Sequence, residues 1–414
     1  MSRDPHAGLR PVAPPEPLSC IDSPELPHFT SMHVRILAGK LDRHAGSHIY
    51  HYELARRLSS AGHRVSLVFI QSPHEPLAAV EALELPDTSF DKTALLWRIN
   101  PILRYLAYGK RLRAARISRP NVIIGGEHLL LKPHHRKHPD VPWIYLPHSL
   151  TVSDEITHYH LEPFLQITTL ALYKHLQAWA LTHATCTVRF TNRACNALQS
   201  AYRHRKLSPF VVNPVGIDAP SQVEREPRAA QLRLLIVGSL IPRKGIDLAL
   251  QALGSLTAFS WHLNIVGAGV ERQALESQAR SLGIFSRVTF IGQIADPAAW
   301  YLQSDLLLFP SRSESLGLVV LEAMSHGTPC LAFRADGTLF RNVNEELITH
   351  GEDGLLADSI DDFRNQLASL LSQSDKLVRL GKAARATVLR RFSWQRHVES
   401  YEQLFLKLTV GRAP

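Results

Sequence analysis

The sequence has few cysteines and no long apolar segment. Its 414 residues include four cysteines, Cys20, Cys186, Cys195 and Cys330. None has the CxxC or Cys/His spacing of a metal site, so the pattern argues against zinc or a disulfide framework and suits a reducing compartment. No apolar run reaches the ~20 residues needed to span a bilayer. These absences predict a globular cytoplasmic protein without a bound metal.

The first 31 residues lack the apolar stretch of a signal peptide. They contain seven prolines, which predicts a disordered extension over residues 1–31. Met32 opens the first strand-like segment and is an alternative start. The length that follows exceeds one ordinary core and predicts roughly two domains.

Positive charge is concentrated in the first half. The formal net charge is +9, and residues 32–218 carry 23 Lys and Arg against 13 Asp and Glu. Such a one-sided excess indicates an anionic partner, which the charge alone leaves open as nucleic acid, a lipid surface or an acidic substrate.

Apolar strand-like segments alternate with helical ones in both halves. This order predicts an α/β protein with two doubly wound parallel sheets that face a cleft. Residues 216–231, polar and without periodicity, are the predicted linker. The predicted strands are 34–39, 64–70, 122–126, 143–148, 185–191, 209–215, 232–238, 261–267, 287–292, 305–311, 329–333 and 354–357.

Two carboxylates eight positions apart lie in the segment SESLGLVVLEAMSHGTP. Glu314 falls in a predicted loop after a strand, and Glu322 falls inside a helix predicted over 317–326. The free N–H groups at that helix start suit a phosphate, and Gly317 allows close approach. A carboxylate beside it suits a sugar diol. The alternative is a loop Glu and a solvated helix Glu, although the neighbours of Glu322 are apolar.

Two further βα loops suit phosphate. In VGSLIPRKG, Gly238 ends a strand, and Arg243 and Lys244 precede a helix, which suits a diphosphate. The alternative is a solvated basic turn. The small residues Ala45, Gly46 and Ser47 follow the first predicted strand and precede a helix, where backbone donors could reach a phosphate; an ordinary tight turn fits equally well.

Histidines offer weaker signals. His148 ends a predicted strand and would either reach a sugar or phosphate in the cleft or be a packed strand-end residue. The run KPHHRKH, residues 132–138, is interpreted as a basic surface loop instead of a metal site.

The segment IVGAGVERQAL, 265–275, lacks the third glycine of a dinucleotide fingerprint because Arg272 stands there.

Residues 95–120 are basic and interleaved with aromatic residues. Eight Lys and Arg lie between Lys92 and Arg119, with no acidic residue. The segment could be a helix that lies on anionic lipid, or an amphipathic helix packed on the sheet with a solvated basic face. No nucleic-acid module is recognised, so nucleic acid is not an expected partner.

Taken together, these motifs resemble glycosyltransferase family 4, whose members are retaining enzymes of the GT-B fold. The resemblance covers roughly residues 32–410. It implies an acceptor-binding Rossmann-like domain over 32–218, a nucleotide-sugar-binding domain over 219–391, and a final helix, 392–414, that crosses back to the first domain. The motifs that carry it are the E-x7-E pair Glu314 and Glu322, the triplet Arg243-Lys244-Gly245, the segment AGSHIYHYELARRLSSAGHRV, the strand-end His148 and the ending FSWQ.

The resemblance also implies roles for individual residues. Glu322 would hold the ribose hydroxyls of the nucleotide and Glu314 those of the donor sugar, while His148 would contact the transferred sugar. The other implied donor contacts are Arg243 and Lys244 with the diphosphate, the backbone N–H groups around Ser315, Leu316, Gly317 and Leu318, the loop at Gly46, and Gly292 and Gln293 near the base. Ala45, Ser239 and Val215 depart from the usual family residues.

The leading hypothesis is therefore a retaining, metal-independent sugar transferase without a cofactor. Its donor would be a UDP- or GDP-linked sugar, and its acceptor a glycan, lipid-linked or anionic precursor met at the inner membrane face. The alternatives are a GT-B-like sugar-nucleotide epimerase and an inactive GT-B scaffold that acts as a binding protein.

Overall fold

The computed structural model describes residues 31–38, 46–69, 80–84, 101–115, 117–148, 163–223 and 231–409. The predicted extension over residues 1–31 lies outside these ranges except for its last residue. Residues 95–100 of the basic segment also lie outside them.

The first half of the chain forms a seven-stranded parallel sheet in the order β3-β2-β1-β4-β5-β6-β7. Its strands are β1 His33–Leu37, β2 Arg64–Phe69, β3 Val80–Glu84, β4 Val122–Gly125, β5 Trp143–Tyr145, β6 Cys186–Arg189 and β7 Phe210–Val212. The helices described here are α1 Gly46–Ser60, α2 Pro101–Ala114, α3 His128–Lys137, α4 Pro163–His183 and α5 Asn192–Ala201.

The second half forms a six-stranded parallel sheet in the order β10-β9-β8-β11-β12-β13. Its strands are β8 Leu232–Val237, β9 Trp261–Val266, β10 Val288–Gly292, β11 Leu306–Phe309, β12 Cys330–Phe333 and β13 Leu355–Ala357. Its helices are α6 Ile246–Gly254, α7 Arg272–Ser281, α8 Ala298–Gln303, α9 Leu318–Ser325, α10 Asn344–Leu347, α11 Ile360–Ser372, α12 Ser374–Arg391 and α13 Trp394–Thr409, with short 3₁₀ turns at Pro242–Lys244 and Phe285–Arg287.

Two parallel sheets confirm the predicted fold class. Strands that are buried on both faces have continuous apolar sequences, so the alternation of strands and helices can be recognised from the sequence. One strand was missed: β3, with the sequence VEALE, lies at the edge of the first sheet and carries two glutamates.

Each sheet reverses its strand order once. In the first sheet the reversal lies between β1 and β4, and in the second between β8 and β11. Ligands of open α/β sheets bind at such a point, outside the carboxyl ends of the strands. The loops after β8 and β11 carry the RKG triplet and Glu314, so the topology itself brings these two motifs together.

The final helix, α13, packs on the first half of the chain although it follows the second in sequence. The hydroxyl of Tyr50 in α1 lies 2.6 Å from Nε2 of His397, and Nδ1 of the same imidazole lies 2.6 Å from the carbonyl oxygen of Pro214. His63 Nε2 lies 3.2 Å from a carboxylate oxygen of Glu402. The helix therefore ties α1 to the segment that leaves the first sheet.

The two halves share a hydrophobic core. One continuous cluster of buried apolar side chains includes Ile36 of β1, Leu307 of β11 and Phe405 of α13. The predicted linker takes part in this region, since Ile217 is buried and its N–H donates to the carbonyl of Phe392 at 2.7 Å.

The interpretation of residues 132–138 as a surface loop is wrong. Residues 132–137 lie in α3, which packs against α2 and α4, and His134 is fully buried. Its Nε2 lies 3.4 Å from the guanidinium of the buried Arg35 in β1. Burial, followed by the charge of Arg35, lowers the pKa of His134 well below its usual value, so the imidazole packs as a neutral aromatic ring.

The basic segment contains the amphipathic helix α2. Tyr108 and Leu112 are buried, whereas Lys110 and Arg113 are exposed and the side chain of Leu106 is 57% exposed. Among the helices that the structure describes, none has the length and apolar character required to cross a membrane.

Candidate functional site

The site in the second half is built from two neighbouring βα loops. Gly245 ends the first loop with a φ of +63°, in the left-handed region that favours glycine. A Cβ at this position would lie 2.1 Å from the carbonyl oxygen of Pro310 in the loop after β11. Any side chain here would push the two loops apart, so Gly245 keeps the RKG triplet against the loop that carries Glu314.

Glu314 and Lys244 form a close ion pair across these loops. Nζ of Lys244 lies 2.5 Å from Oε2 of Glu314, and Nη1 of Arg243 lies 3.8 Å from Oε1. Arg243 also donates to the carbonyl of Ser313 at 3.0 Å. The structure thus brings together three of the predicted site residues around one carboxylate.

The carboxylate of Glu314 is held ionised. Burial alone would raise its pKa, but the charges of Lys244 and Arg243, with hydrogen bonds from Lys244 and the backbone N–H of Ser315, outweigh burial and lower the pKa. A charged carboxylate of this kind accepts hydrogen bonds only, as recognition of hydroxyl groups requires.

Helix α9 begins beside Glu314. Its N-cap is Gly317, with a φ of +72°, and a Cβ there would lie 3.8 Å from Cγ of Glu314. The N–H groups and dipole of the first helical turn favour negative charge. The predicted site residues Ser315, Leu316 and Leu318 lie within two positions of this N-cap.

Glu322 is the fifth residue of α9 and has a different environment. The hydroxyl of Tyr301, in α8, donates to its Oε2 at 2.7 Å. Burial raises the pKa of Glu322, in contrast to that of Glu314. The two carboxylates of the E-x7-E motif therefore have separate partners: cations at the first and a phenol at the second.

Arg312 connects the loop after β11 to the turn that carries Arg243 and Lys244. Its guanidinium makes a bidentate ion pair with Asp247 of α6, with distances of 2.7 Å and 2.6 Å, and donates to the carbonyl of Pro242 at 2.8 Å. Its backbone N–H donates to the carbonyl of Arg243 at 2.9 Å. Arg312 therefore fixes the turn that presents Arg243 and Lys244.

The first half of the chain contributes a second set of predicted site residues. His148 lies three residues beyond β5, and its Nε2 is 3.3 Å from Nε2 of the buried His51 in α1. Gly46 and Ser47, predicted to precede the first helix, are the first two residues of α1.

Other predicted residues lie at the same edge of the second sheet. Gly238 follows β8 and Gly292 ends β10, with Gln293 directly after it. Gly267 serves the sheet itself, since a Cβ there would lie 1.9 Å from the carbonyl oxygen of Gly238. This close approach accounts for the first glycine of the IVGAG segment without a dinucleotide.

No sequence motif marks four residues that the structure places at the site: Tyr301, Asp247, Arg312 and His51. Tyr301 and Glu322 are 21 positions apart on different helices, and no local spacing marks them as partners. The described residues contain no group of three His, Cys, Asp or Glu side chains that could hold a metal ion.

Solved structures with the same architecture cover nearly the whole chain. Sucrose-phosphate synthase from Thermosynechococcus elongatus matches with a TM-score of 0.72 and 21% identity, covering 92% of this chain and 100% of that chain. HepE of Anabaena, in complex with UDP and glucose, matches with a TM-score of 0.66 and 19% identity, covering 90% of this chain and 99% of that chain. This chain has the GT-B fold.

Sequence comparison adds a family match to the second half of this GT-B chain. Residues 221–387 match the family model of glycosyl transferases group 1. D-inositol 3-phosphate glycosyltransferase of Rhodococcus opacus is 35% identical over 195 residues, which is 43% of this chain and 42% of that protein. The alignments span less than half the length of the curated relatives. The match covers both loops of the site described above.

Proposed function

We propose that this protein is a retaining glycosyltransferase of family 4. It transfers a sugar from a UDP- or GDP-linked donor to an acceptor hydroxyl, in the synthesis of a glycan or glycolipid. The observation that carries the proposal is the arrangement of Lys244 and Arg243 around Glu314 at the start of α9, at the point where the strand order of the second sheet reverses.

The donor lies along this edge. Arg243 and Lys244 hold the diphosphate, with the backbone N–H groups at the start of α9. Glu314 accepts hydrogen bonds from the donor sugar, and Glu322 from the ribose. His148 contacts the transferred sugar from the first half. The other donor contacts are Gly46, Ser47, Gly238, Gly292, Gln293, Ser315, Leu316, Gly317 and Leu318.

The reaction breaks the bond between the anomeric carbon and the diphosphate oxygen. Negative charge develops on the leaving diphosphate, where the two cations and the helix dipole stabilise it without a metal ion. The acceptor hydroxyl attacks from the same face, its proton passes to the leaving phosphate oxygen, and the new bond keeps the anomeric configuration. Glu314 is paired with Lys244, so it serves as a hydrogen-bond acceptor in this scheme and not as a nucleophile.

The acceptor is a lipid-linked or anionic glycan precursor at the inner membrane face. Leu106, Lys110 and Arg113 of α2 are spaced i, i+4 and i+7, so one exposed helix face combines an apolar side chain with two cations. Such a face attracts anionic lipid.

Flotation with anionic liposomes at low salt tests the membrane contact. We expect binding that is reduced in Lys110→Glu/Arg113→Glu and unchanged in the matched pair Arg379→Glu/Lys382→Glu, two exposed cations of α12. Absence of binding by the unmodified protein at low salt, where such attraction is strongest, would remove the membrane from the proposal.

Thermal unfolding with a panel of nucleoside diphosphates and their sugars tests the donor site. A ligand at about 100 times its Kd should stabilise the folded state by roughly 2.7 kcal/mol. We expect one base to be preferred and the shift to be smaller in Glu322→Ala. No shift with any nucleotide would favour an inactive scaffold, and conversion of the sugar nucleotide without an acceptor would favour an epimerase.

A further inference from the structure

Tyr301 is fixed at both ends against helix α9. Its side chain is 1% exposed, and its hydroxyl donates to Oε2 of Glu322 at 2.7 Å. Its carbonyl oxygen accepts a hydrogen bond from Oγ1 of Thr328, just beyond α9, at 2.6 Å. The ring therefore keeps a constant position relative to the carboxylate.

The hydrogen bond has one direction. Burial, and then the negative charge of Glu322, raises the pKa of Tyr301 far above its usual value, so the phenol stays protonated and can donate. A carboxylate offers about four lone-pair sites, and Tyr301 takes one of them. The others suit a partner with two O–H donors, such as a sugar diol.

The charge of Glu322 depends on its surroundings. Burial raises its pKa, the hydrogen bond from Tyr301 and then the charge of His326 oppose that rise, and Asp296 adds to it. On the opposite helix, α12, Arg385 donates to the carbonyl of Ser325. Tyr301 favours the ionised carboxylate through direct contact, since its hydroxyl donates to Oε2 of Glu322.

We propose that Tyr301 is a positioning residue that fixes the carboxylate of Glu322 for contact with the ribose, so that the site selects ribonucleotides over their 2′-deoxy counterparts. This inference rests on the proposed function. Tyr301 lies on α8, which carries none of the motifs described above, so the proposal gives this helix a role in donor selection. Selection follows because a site built to bind the 2′-hydroxyl binds a ligand without that hydroxyl less tightly.

The experiment compares UDP and GDP with 2′-deoxy-UDP and 2′-deoxy-GDP by calorimetric titration between pH 5 and pH 8. The unmodified protein should bind the preferred ribonucleotide about 10-fold more tightly than its deoxy form. In Tyr301→Phe this ratio should fall toward one. The affinity lost on acidification should also begin at a higher pH, because the carboxyl of Glu322 then protonates more readily.

Three control proteins separate positioning from simple packing. Tyr202→Phe removes another part-buried tyrosine hydroxyl, one that donates to Gln177 at 2.8 Å, and should change neither quantity. Glu322→Gln imitates the protonated acid and should remove the part of the pH dependence that Tyr301→Phe shifts, while the part due to the ligand's terminal phosphate remains. Adding Tyr301→Phe to Glu322→Gln should then change little, and the thermal unfolding of each variant without ligand shows whether it is folded.

The outcomes distinguish the two proposals. An unchanged deoxy ratio and an unchanged pH profile in folded Tyr301→Phe would overturn the role of Tyr301 while the donor site stands. A further effect of Tyr301→Phe in the Glu322→Gln background would do the same. An unmodified protein that binds neither UDP nor GDP would instead overturn the proposed function.

Discussion

The carboxylate of Glu346 accepts a hydrogen bond from the backbone N–H of Asn192, with 2.6 Å between the two atoms. Its other oxygen accepts from the N–H of Arg193 at 2.7 Å. Glu346 lies on α10 in the second half, and the two N–H groups open α5 in the first. The same short helix contacts the proposed phosphate site, since a Cβ at Gly317 would lie 3.0 Å from Leu347.

Replacement of Glu346 by Gln should lower the free energy of unfolding by about 1 kcal/mol, because a carboxylate at a helix N-terminus is favoured by both the cap and the dipole. Thermal or denaturant unfolding measures the change. The matched control is Glu345→Gln, an exposed neighbour 3.3 Å from Arg334, whose loss should cost less. Equal losses of unfolding free energy in the two variants would contradict a capping role of Glu346 at the start of α5.

Lys244→Met should weaken binding of the nucleoside diphosphate by about 10- to 100-fold, the usual effect of losing a hydrogen bond to a charged group. It also leaves the partly buried Glu314 without its closest cation. Nucleotide titration measures the effect. Lys382→Met, an exposed lysine of α12, should bind like the unmodified protein. Unchanged binding in Lys244→Met would place the diphosphate elsewhere.

His148→Ala should reduce kcat by about 100-fold, a loss typical of one polar transition-state contact, and leave nucleoside diphosphate binding unchanged. The reason is that His148 follows β5 of the first sheet, whereas Lys244 and Glu314 lie in loops of the second. The nucleotide-induced thermal shift and the rate with the identified donor measure the two quantities. A smaller thermal shift would mean that His148 contacts the nucleotide, and His204→Ala, at an exposed site, serves as the control.

Protonation of His397 should destabilise the protein in mild acid. Burial lowers the pKa of His397 to about 4, from about 6.5 for an ordinary histidine. The unfolded chain therefore binds the proton first, and the stabilisation present above pH 6.5 is lost as the pH falls toward 4. The loss across this window is at most about 3 kcal/mol.

Unfolding experiments at pH 7.5 and pH 5 test this. The difference between the two pH values should be smaller in His397→Gln than in the unmodified protein. His128, whose pKa is also about 4, titrates in both proteins and cancels in the comparison. His204→Gln should retain the full pH dependence, and the same dependence in His397→Gln would assign it to other groups.

The parts of the fold and site that follow from local pattern could be predicted from sequence. Buried parallel strands are apolar throughout, and a doubly wound sheet brings the loops after β8 and β11 to one edge, so the proximity of Lys244 and Glu314 follows from the order of the elements. The edge strand β3 escaped because two of its five residues are glutamates.

Contacts between distant helices could not be predicted in this way. Tyr301 meets Glu322 through the packing of α8 on α9, and no periodicity encodes that contact. The misjudged segment around His134 has a different cause. The density of basic residues in 132–138 suggests solvent exposure. The imidazole of His134, however, is neutral beside Arg35 and packs as an aromatic core residue.

The chain passes between the two halves twice, and both passages lie side by side. Ile217 pairs with Ser393 in an isolated parallel bridge, and its N–H donates to the carbonyl of Phe392 at 2.7 Å. Two connections at one place define a pivot. Any rotation of one half against the other about these adjacent connections would displace residues in proportion to their distance from Ile217.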